Sequence, residues 1–381
     1  MKFFHLSDLH IGLKLLNHDL REDQEYIFHQ IADYAGEHRP DAIVIAGDIY
    51  DKAIPSAEAV ELFDAFVSEL SAKAPEAELM MISGNHDSAQ RINVFRTILQ
   101  KRNIHMIGLP PGGEQERIEK VTLTDSFGPV NFYLLPFVKP SMVKQIVGTQ
   151  ENGNALSYNE TLHRLIEREE LCPQERNVLV SHQFYLPMGS SAEQVERMDS
   201  EIRTVGNVDE VKADILERFD YAALGHIHKP MKVGSDAYRY CGTPLACSVS
   251  EAGQQKGILE VELGAKGELH TQVLPLHPLR EVRMLHGTLQ EILGQGSEDY
   301  VSILLTDRVD LDVIDMQDRI RSVFPNVLEI RREICRTSDY RVEYTPETEK
   351  DVFTLCTEFL QDLDEEEQKL LRDVINSIQE V

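Results

Sequence analysis

The sequence has few cysteines, and they are badly placed for cross-linking. Cys172, Cys241, Cys247, Cys335 and Cys356 are scattered, odd in number and form no C-x-x-C. That pattern argues against a disulfide framework and a thiolate zinc site, and leaves reduced core or surface thiols. No window approaches ~18 uninterrupted apolar residues, so no membrane-spanning helix is expected. His5, Asp8 and His10 in the opening MKFFHLSDLHIGL break the apolar stretch a signal peptide would need, so the protein is expected in the cytoplasm. No G-x-x-x-x-G-K-[ST] occurs, which excludes a phosphate loop for ATP in this chain. Positive charge is also scarce: 38 Lys and Arg face 65 Asp and Glu, for a formal net charge of −27. A free-standing nucleic-acid binder should be basic. The most acidic stretch is the tail segment QDLDEEEQKLLRD, so the global charge need not describe a functional surface, and most of these carboxylates read as a solvated face.

What is present is a chain of 381 residues, 42% hydrophobic, long enough for one large core with smaller appended units. Apolar runs of strand length, KFFHLS (2–7), DAIVIA (41–46) and ELMMIS (78–83), alternate with helical patterns near 19–38, 56–73 and 89–101. The alternation predicts an α/β domain with buried strands. After residue 104 the pattern becomes strand-rich (RIEKVTL, VNFYLLPF, NVLVSHQ, DYAALGH, YRYCGTP, GILEVEL), so a mixed or two-sheet core is expected rather than one doubly wound sheet. Residues 148–157 and 187–209 read as polar loops of the kind that often bind ligands. A boundary is expected near LPLHPLREV (274–282), followed by a small α/β unit and then two amphipathic helices. In the first, Val352, Leu355, Phe359 and Leu363 share a face; in the second, Leu370, Leu371, Val374, Ile375 and Ile378 do so. The expected domains are 1–277, 278–345 and 346–381.

Five strand ends carry the chemistry. Asp8 and His10 follow the first strand, Asp48 the second and SGNHD (83–87) the third; His182 follows a later strand, and LGHIH places His226 and His228 after another. Ligands bind at the carboxyl ends of strands in α/β sheets. One buried histidine alone is usually a satisfied core residue. Residues two apart on an extended segment project the same way, so Asp8 with His10, and His226 with His228, can each converge on one point. Mixed carboxylate, amide and imidazole donors suit divalent ions such as Mn²⁺ or Fe²⁺. Two such ions about 3.5–4 Å apart can activate a water and stabilise an in-line phosphoryl displacement. Gly47, Gly84 and Gly225, each just before a candidate ligand, permit tight turns.

The series D-x-H, G-D-x-x-D, G-N-H-D, H and G-H-x-H, here Asp8/His10, Gly47–Asp48 with Asp51, Gly84 to Asp87, His182, and Gly225 to His228, resembles the calcineurin-like metallophosphoesterase family over roughly the first 230 residues. The resemblance implies a four-layer sandwich, two mixed sheets flanked by helices, and two metal ions, with Mn²⁺ expected. One ion would be held by Asp8, His10, Asp48 and His228, the other by Asp48, Asn85, His182 and His226, with Asp48 bridging. It also implies that His86 contacts the scissile phosphate and protonates the leaving oxygen, a role imidazole chemistry suits. Asp87 would accept a hydrogen bond from the other ring nitrogen of His86 and fix its tautomer; capping the helix that follows is the alternative. Asp51 is open between a partner of the site and a loop carboxylate.

Phosphatases, cyclic-nucleotide phosphodiesterases and nucleases share such a core, and fold alone does not choose among them. The fuller stretches HLSDLHIG, VIAGDIYDKAIPSAEAV, SGNHDS, YAALGHIHKP and YRYCGTPLACSVSE resemble the SbcD-type nucleases of double-strand-break processing. That resemblance implies DNA exonuclease and endonuclease activity in repair and recombination, association with the nucleoid, a homodimer formed through helices of the nuclease domain, and a coiled-coil ATPase partner of the SbcC type that docks on the tail helices. The small α/β unit would cap the active site and contact DNA. Its arginines, Arg308, Arg319, Arg321, Arg331, Arg332, Arg336 and Arg341, can meet phosphates or, among many carboxylates, form a solvated mixed-charge surface. The tail could equally pack on its own domain. A basic partner and bound cations would relieve the chain itself of the need to be basic. A small-substrate phosphatase or phosphodiesterase is the alternative reading.

Overall fold

The computed structural model describes residues 1–333 except 152, 188, 190–200, 202–208 and 308–312, and in the tail 356–357, 359–360, 364 and 367–371. The chain forms two compact units, Met1–Glu333 and Ile334–Val381.

Two six-stranded sheets dominate the larger unit. The first contains Lys2–Leu6 (β1), Ala42–Ala46 (β2), Glu78–Ile82 (β3) and Ile104–Ile107 (β4). The second contains Glu119–Asp125 (β5), Gly128–Leu135 (β6), Arg176–Ser181 (β7), Tyr221–Leu224 (β8), Met231–Lys232 (β9) and Tyr238–Tyr240 (β10). The chain then returns to the first sheet with Gly257–Leu263 (β11) and Leu269–Pro275 (β12). Strand order is β12-β11-β1-β2-β3-β4 in one sheet and β9-β10-β8-β7-β6-β5 in the other. Strands β1 to β4 run parallel, and β11 joins β1 antiparallel. Neighbours β6, β7, β8 and β10 are likewise parallel. Both sheets are therefore mixed.

Alternation along each strand decides the layers, because successive side chains leave opposite faces. Phe3, Val44, Met80 and Ile82 meet Phe132, Val178, Val180 and Tyr221 between the sheets, with Phe3 edge-on to Phe132 at 5.2 Å. The other face of the first sheet, with Phe4, Ile43 and Ile45, packs on helices Arg21–His38 (α1) and Ala57–Lys73 (α2). The outer face of the second packs on Pro140–Val147 (α3) and Tyr158–Glu167 (α4). The result is helix, sheet, sheet, helix, and strand β2 (AIVIA) is buried at every residue because it is covered on both faces. No helix among the described residues is long and apolar enough to cross a membrane.

A smaller three-stranded parallel sheet follows, Val282–Gly287 (β13), Tyr300–Leu305 (β14) and Val327–Arg332 (β15), with helices Leu289–Leu293 (α5) and Val313–Val323 (α6) packed on it. Its core of Leu285, Ile292, Val301, Ile303, Ile320 and Phe324 is separate from those of the sandwich.

The helix expected near 89–101 is broken. Short turns at Ala89–Ile92 and Arg96–Leu99 are separated by Phe95, which takes a left-handed φ of 62°. Between them the Asn93 side chain accepts from Gly108 N at 3.4 Å, tying the segment to the end of β4 in competition with helix continuation. Most of loop 187–209 and of the tail helices lies outside the described residues. Of the tail residues that are described, Phe359, Leu360 and Leu370 are exposed.

Candidate metal centre

The carboxyl ends of β1, β2, β3, β7 and β8 meet at one edge of the sandwich, and they carry Asp8, His10, Asp48, Asn85, His182, His226 and His228 to it. Asp8 N donates to Gly47 O at 2.9 Å and His10 N to Asp48 O at 3.0 Å, so the turns leaving β1 and β2 are zipped together. Four of the seven residues take left-handed backbone: Asp8 (φ 53°), His10 (43°), Asp48 (48°) and His226 (101°). Such conformations are costly for side chains of this kind and persist where the surroundings enforce them. Gly47 needs its φ of 91°, and a Cβ there would lie 2.3 Å from His182 Nδ1. At Gly84 and Gly225 the reason is space rather than turn geometry. A Cβ would fall 2.1 Å from Asp48 Oδ1 at Gly84 and 2.0 Å from Ala46 O at Gly225.

The side chains converge closely. His10 Nε2 and His228 Nε2 are 3.1 Å apart. Asn85 Oδ1 lies 3.0 Å from His182 Nε2 and 2.9 Å from His226 Nδ1. Asp48 Oδ2 sits between these two groups, 3.2 Å from His182 Nε2 and 3.8 Å from His10 Nε2. Asp8 accepts from Ser7 Oγ and from His226 N, the latter at 3.0 Å. Donor atoms of Asp8, His10 and His228, and again of Asp8, Asp48 and His182, lie within 4.8 Å of one another, a spacing that could hold ions.

Burial sharpens the electrostatics. It raises the Asp8 carboxyl, against the pull of His182 and His228. It would raise Asp48 too, but the imidazoles of His182, His10 and His86 outweigh it and hold that carboxyl far below its usual range. Burial lowers His182, yet Asp48 and Asp8 push it up to about 9. His10 is held well below the ordinary histidine range by burial and by His228, and its Nδ1 has no hydrogen-bond partner among the described residues. Crowded imidazoles, an orphaned ring nitrogen and mixed N/O donors fit divalent cations, which would replace repulsion between like groups with coordination.

His86 differs from the rest: its side chain is 17% exposed, whereas those of His10, Asp48 and His182 are nearly sealed. His86 N donates to Asp48 Oδ1 at 2.8 Å, and Nε2 points toward Asp48 Oδ2 at 3.9 Å. The expected Asp87 contact is not what orients this ring. His86 Nδ1 pairs with the backbone carbonyl of Asp51 at 3.0 Å. The Asp87 carboxylate accepts instead from Ile49 N (3.0 Å), Tyr50 N (2.9 Å) and Gly84 N (2.9 Å). Those three backbone donors take up the Asp87 carboxylate, leaving the His86 ring to the Asp51 carbonyl. Burial and the charge of Asp48 push Asp87 up to about 6. Asp87 does not cap the following helix either, since Ser88 holds the N-cap position. Asp51 thus serves the site through its backbone.

Sequence reasoning missed three supports. Gln24 Nε2 donates to Leu9 O (3.3 Å) and His10 O (2.8 Å), while its Oε1 accepts from Gly12 N (3.1 Å). Glu251 Oε1 lies 3.4 Å from His228 Nδ1, and Oε2 accepts from Lys256 Nζ (2.6 Å) and Thr243 Oγ1 (2.9 Å). Glu201 Oε1 accepts from His228 N at 2.9 Å. Nothing in the spacing marks Gln24 or Glu201; Glu251 ends the stretch YRYCGTPLACSVSE but has no periodic signature.

Residues 1–230 match the model of the calcineurin-like phosphoesterases, and residues 275–367 match that of the type 5 capsule protein repressor C-terminal domain. The chain belongs to the calcineurin-like phosphoesterase family. As a member of that family it is a metal-dependent phosphoester hydrolase. It is similar to the D subunit of nuclease SbcCD from Staphylococcus epidermidis, 27% identical over 346 residues, covering 89% of this chain and 87% of the relative. Solved structures to which the chain is similar include one from Thermus thermophilus (14% identity, TM-score 0.40, covering 71% of this chain and 98% of the other). A dimetal phosphatase from Danio rerio is another (13% identity, TM-score 0.39, 72% and 96%).

Proposed function

We propose that the protein is the nuclease subunit of an SbcCD-type complex, hydrolysing DNA phosphodiester bonds with two divalent ions, Mn²⁺ in the cell, during repair and recombination. The observation that carries the reading is Asp48 Oδ2 lying between the His10/His228 pair and the Asn85/His182/His226 group. Similarity to a named SbcCD component along both the catalytic and the C-terminal regions supports the nuclease over a small-substrate phosphatase.

Asp8, His10, Asp48 and His228 would hold one ion, and Asp48, Asn85, His182 and His226 the other. Bound there, the ions supply a water activated for attack and charge neutralisation at the phosphoryl group. The chain supplies position and protons. With Nδ1 committed to the Asp51 carbonyl, His86 presents Nε2 at the exposed side of the cluster, where it donates a proton to the departing 3′ or 5′ oxygen. Asp87 fixes the turns after β2 and β3 by its three backbone contacts, and so sets where His86 and Asp48 stand.

Residues 1–277 form the catalytic domain, 278–345 a cap that contacts DNA, and 346–381 the helices that dock a coiled-coil ATPase partner. Of the cap arginines, Arg331 and Arg319 lie 2.9 Å from Glu329 and 3.7 Å from Asp315, yet both stay more than half exposed and can exchange those partners for phosphates. The chain acts as a homodimer in the cytoplasm, at the nucleoid. Val94, Phe95 and Ile98, large apolar side chains exposed on one short segment of the catalytic domain, support a second copy as their cover.

The test is Mn²⁺-dependent cleavage of end-labelled linear duplex by the purified chain, alone and with its ATPase partner, beside hydrolysis of bis(p-nitrophenyl) phosphate. Cleavage of duplex supports the nuclease. Hydrolysis of the small ester with duplex untouched even when the partner is present would favour the phosphatase reading.

A further inference from the structure

The cap meets the catalytic domain beside the elements that support His10 and His228. On α1, Asp23 is buried, and its Oδ2 accepts from Arg280 (2.9 Å) and from Tyr300 Oη (2.8 Å), while Arg280 also reaches Glu22 at 2.6 Å. Tyr300 begins β14 of the cap and Arg280 lies just before β13. The next residue on α1 is Gln24, whose amide spends its hydrogen bonds on the Leu9–Gly12 turn that presents His10. The cap also touches that turn's continuation, for His18 Nε2 lies 3.1 Å from Val327 O and its ring stands edge-on to Tyr300.

His228 has a parallel support. Its Nδ1 faces Glu251, whose side chain is fully buried and ends the short helix Val249–Glu251. That helix packs against cap strand β13. Imidazoles that bind metals are usually oriented by a carboxylate or carbonyl on the opposite ring nitrogen. By contrast, His182 is held by Ala46 O at 2.7 Å and His226 stacks on Phe137, both within the sandwich.

We propose that the docked cap is a buttress for one of the two ion positions: through Asp23–Gln24 it fixes His10, through the 249–251 helix it fixes His228, and the ion between them binds tightly only while the cap is seated. Gln24 and Glu251 are positioning residues in this scheme; Arg280 and Tyr300, through Asp23, are the outer supports of Gln24, and strand β13 is that of Glu251. The inference rests on the ligand assignment proposed above. It makes the two ions unequal, with the position nearer the cap able to respond to whatever moves the cap.

The experiment is Mn²⁺ titration of the full chain by calorimetry and electron paramagnetic resonance, comparing wild type with Arg280→Ala/Tyr300→Phe, Tyr300→Phe alone and Gln24→Ala. The His10 position is identified as the binding step lost in His10→Ala. In the double variant and in Gln24→Ala that step weakens roughly 10–100-fold, the range for removal of outer supports, with the other step unchanged. Tyr300→Phe, which removes one hydroxyl and keeps the ring, weakens the same step less. Unchanged steps in all variants would overturn the inference, and so would equal weakening of both, which general loosening produces. A wild type that takes up no pair of ions would instead overturn the ligand assignment itself.

Discussion

His10 Nε2 and His228 Nε2 stand 3.1 Å apart although 218 residues separate them in sequence. Neighbouring buried imidazoles cannot both carry a proton at that distance without strong repulsion. A cation held by His10 and His228 together would remove the conflict and would couple ion binding to folding. Mn²⁺ should raise the melting temperature over a chelator-treated sample, because a ligand that binds only the folded state contributes about 2.7 kcal/mol at a hundredfold excess over its Kd. Asp48→Asn should lose most of that rise. Differential scanning calorimetry with and without chelator decides it, and an equal rise in Asp48→Asn would remove Asp48 from the ion site.

His86→Ala should keep both Mn²⁺ binding steps and lose about 10²–10⁴ in turnover on DNA, the usual yield of a positioned acid. The loss should be smaller on bis(p-nitrophenyl) phosphate, whose leaving group needs little protonation. Equal losses on both substrates would assign His86 to substrate binding rather than proton donation.

Asp87→Ala should act through stability first. Three backbone N–H groups lose their acceptor, and buried unsatisfied donors cost about 1–3 kcal/mol each, less than additively when the turns relax. An unfolding free energy, read from denaturant titration, lowered by about 2 kcal/mol or more, with activity falling in step, is expected. Unchanged stability with lost activity would restore the role of orienting His86.

His5 is a histidine of the ordinary buried kind, bonded to Tyr221 Oη at 3.0 Å and Leu224 O at 3.2 Å. Burial, only partly opposed by the Leu224 contact, lowers its pKa from 6.5 to about 3. The unfolded chain therefore binds the extra proton between these values, and stability rises with pH across that window. Its contribution is complete above pH 6.5 and is lost as pH falls toward 3. Chelator-treated His5→Gln should show a shallower fall in melting temperature between about pH 6.5 and 4 than the wild type. An identical slope would place the acid sensitivity elsewhere.

Phe95→Glu with Ile98→Glu should shift the protein to a monomer in light scattering, since both side chains are more than 60% exposed and contribute little to the chain's own core. Melting temperature should stay near wild type at low concentration. A dimer that survives the substitutions would move the interface off this segment.

Alternation of apolar runs was enough to place β1 to β3, α1 and α2, and the strand-rich second half, because burial on both faces leaves a mark at every position, as in AIVIA. The break at Phe95 left no comparable mark. It follows from Asn93 reaching Gly108, a contact between segments that periodicity within one segment does not report.

The site divides in the same way. Residue type and spacing after strand ends brought Asp8, His10, Asp48, the SGNHD stretch, His182, His226 and His228 to one region, because chemistry restricts which side chains can bind metal and strands deliver them at fixed offsets; the resemblance to the metallophosphoesterases singled out Asn85 within SGNHD as the ligand. The partners of those residues were decided only by the tertiary structure. That His86 leans on the Asp51 carbonyl, that Asp87 holds three backbone N–H groups, and that Gln24 and Glu251 brace His10 and His228 all depend on backbone positions that come together across long stretches of chain. A hydrogen bond to a carbonyl can be made to any residue, so the sequence records the donor and leaves its target to the fold.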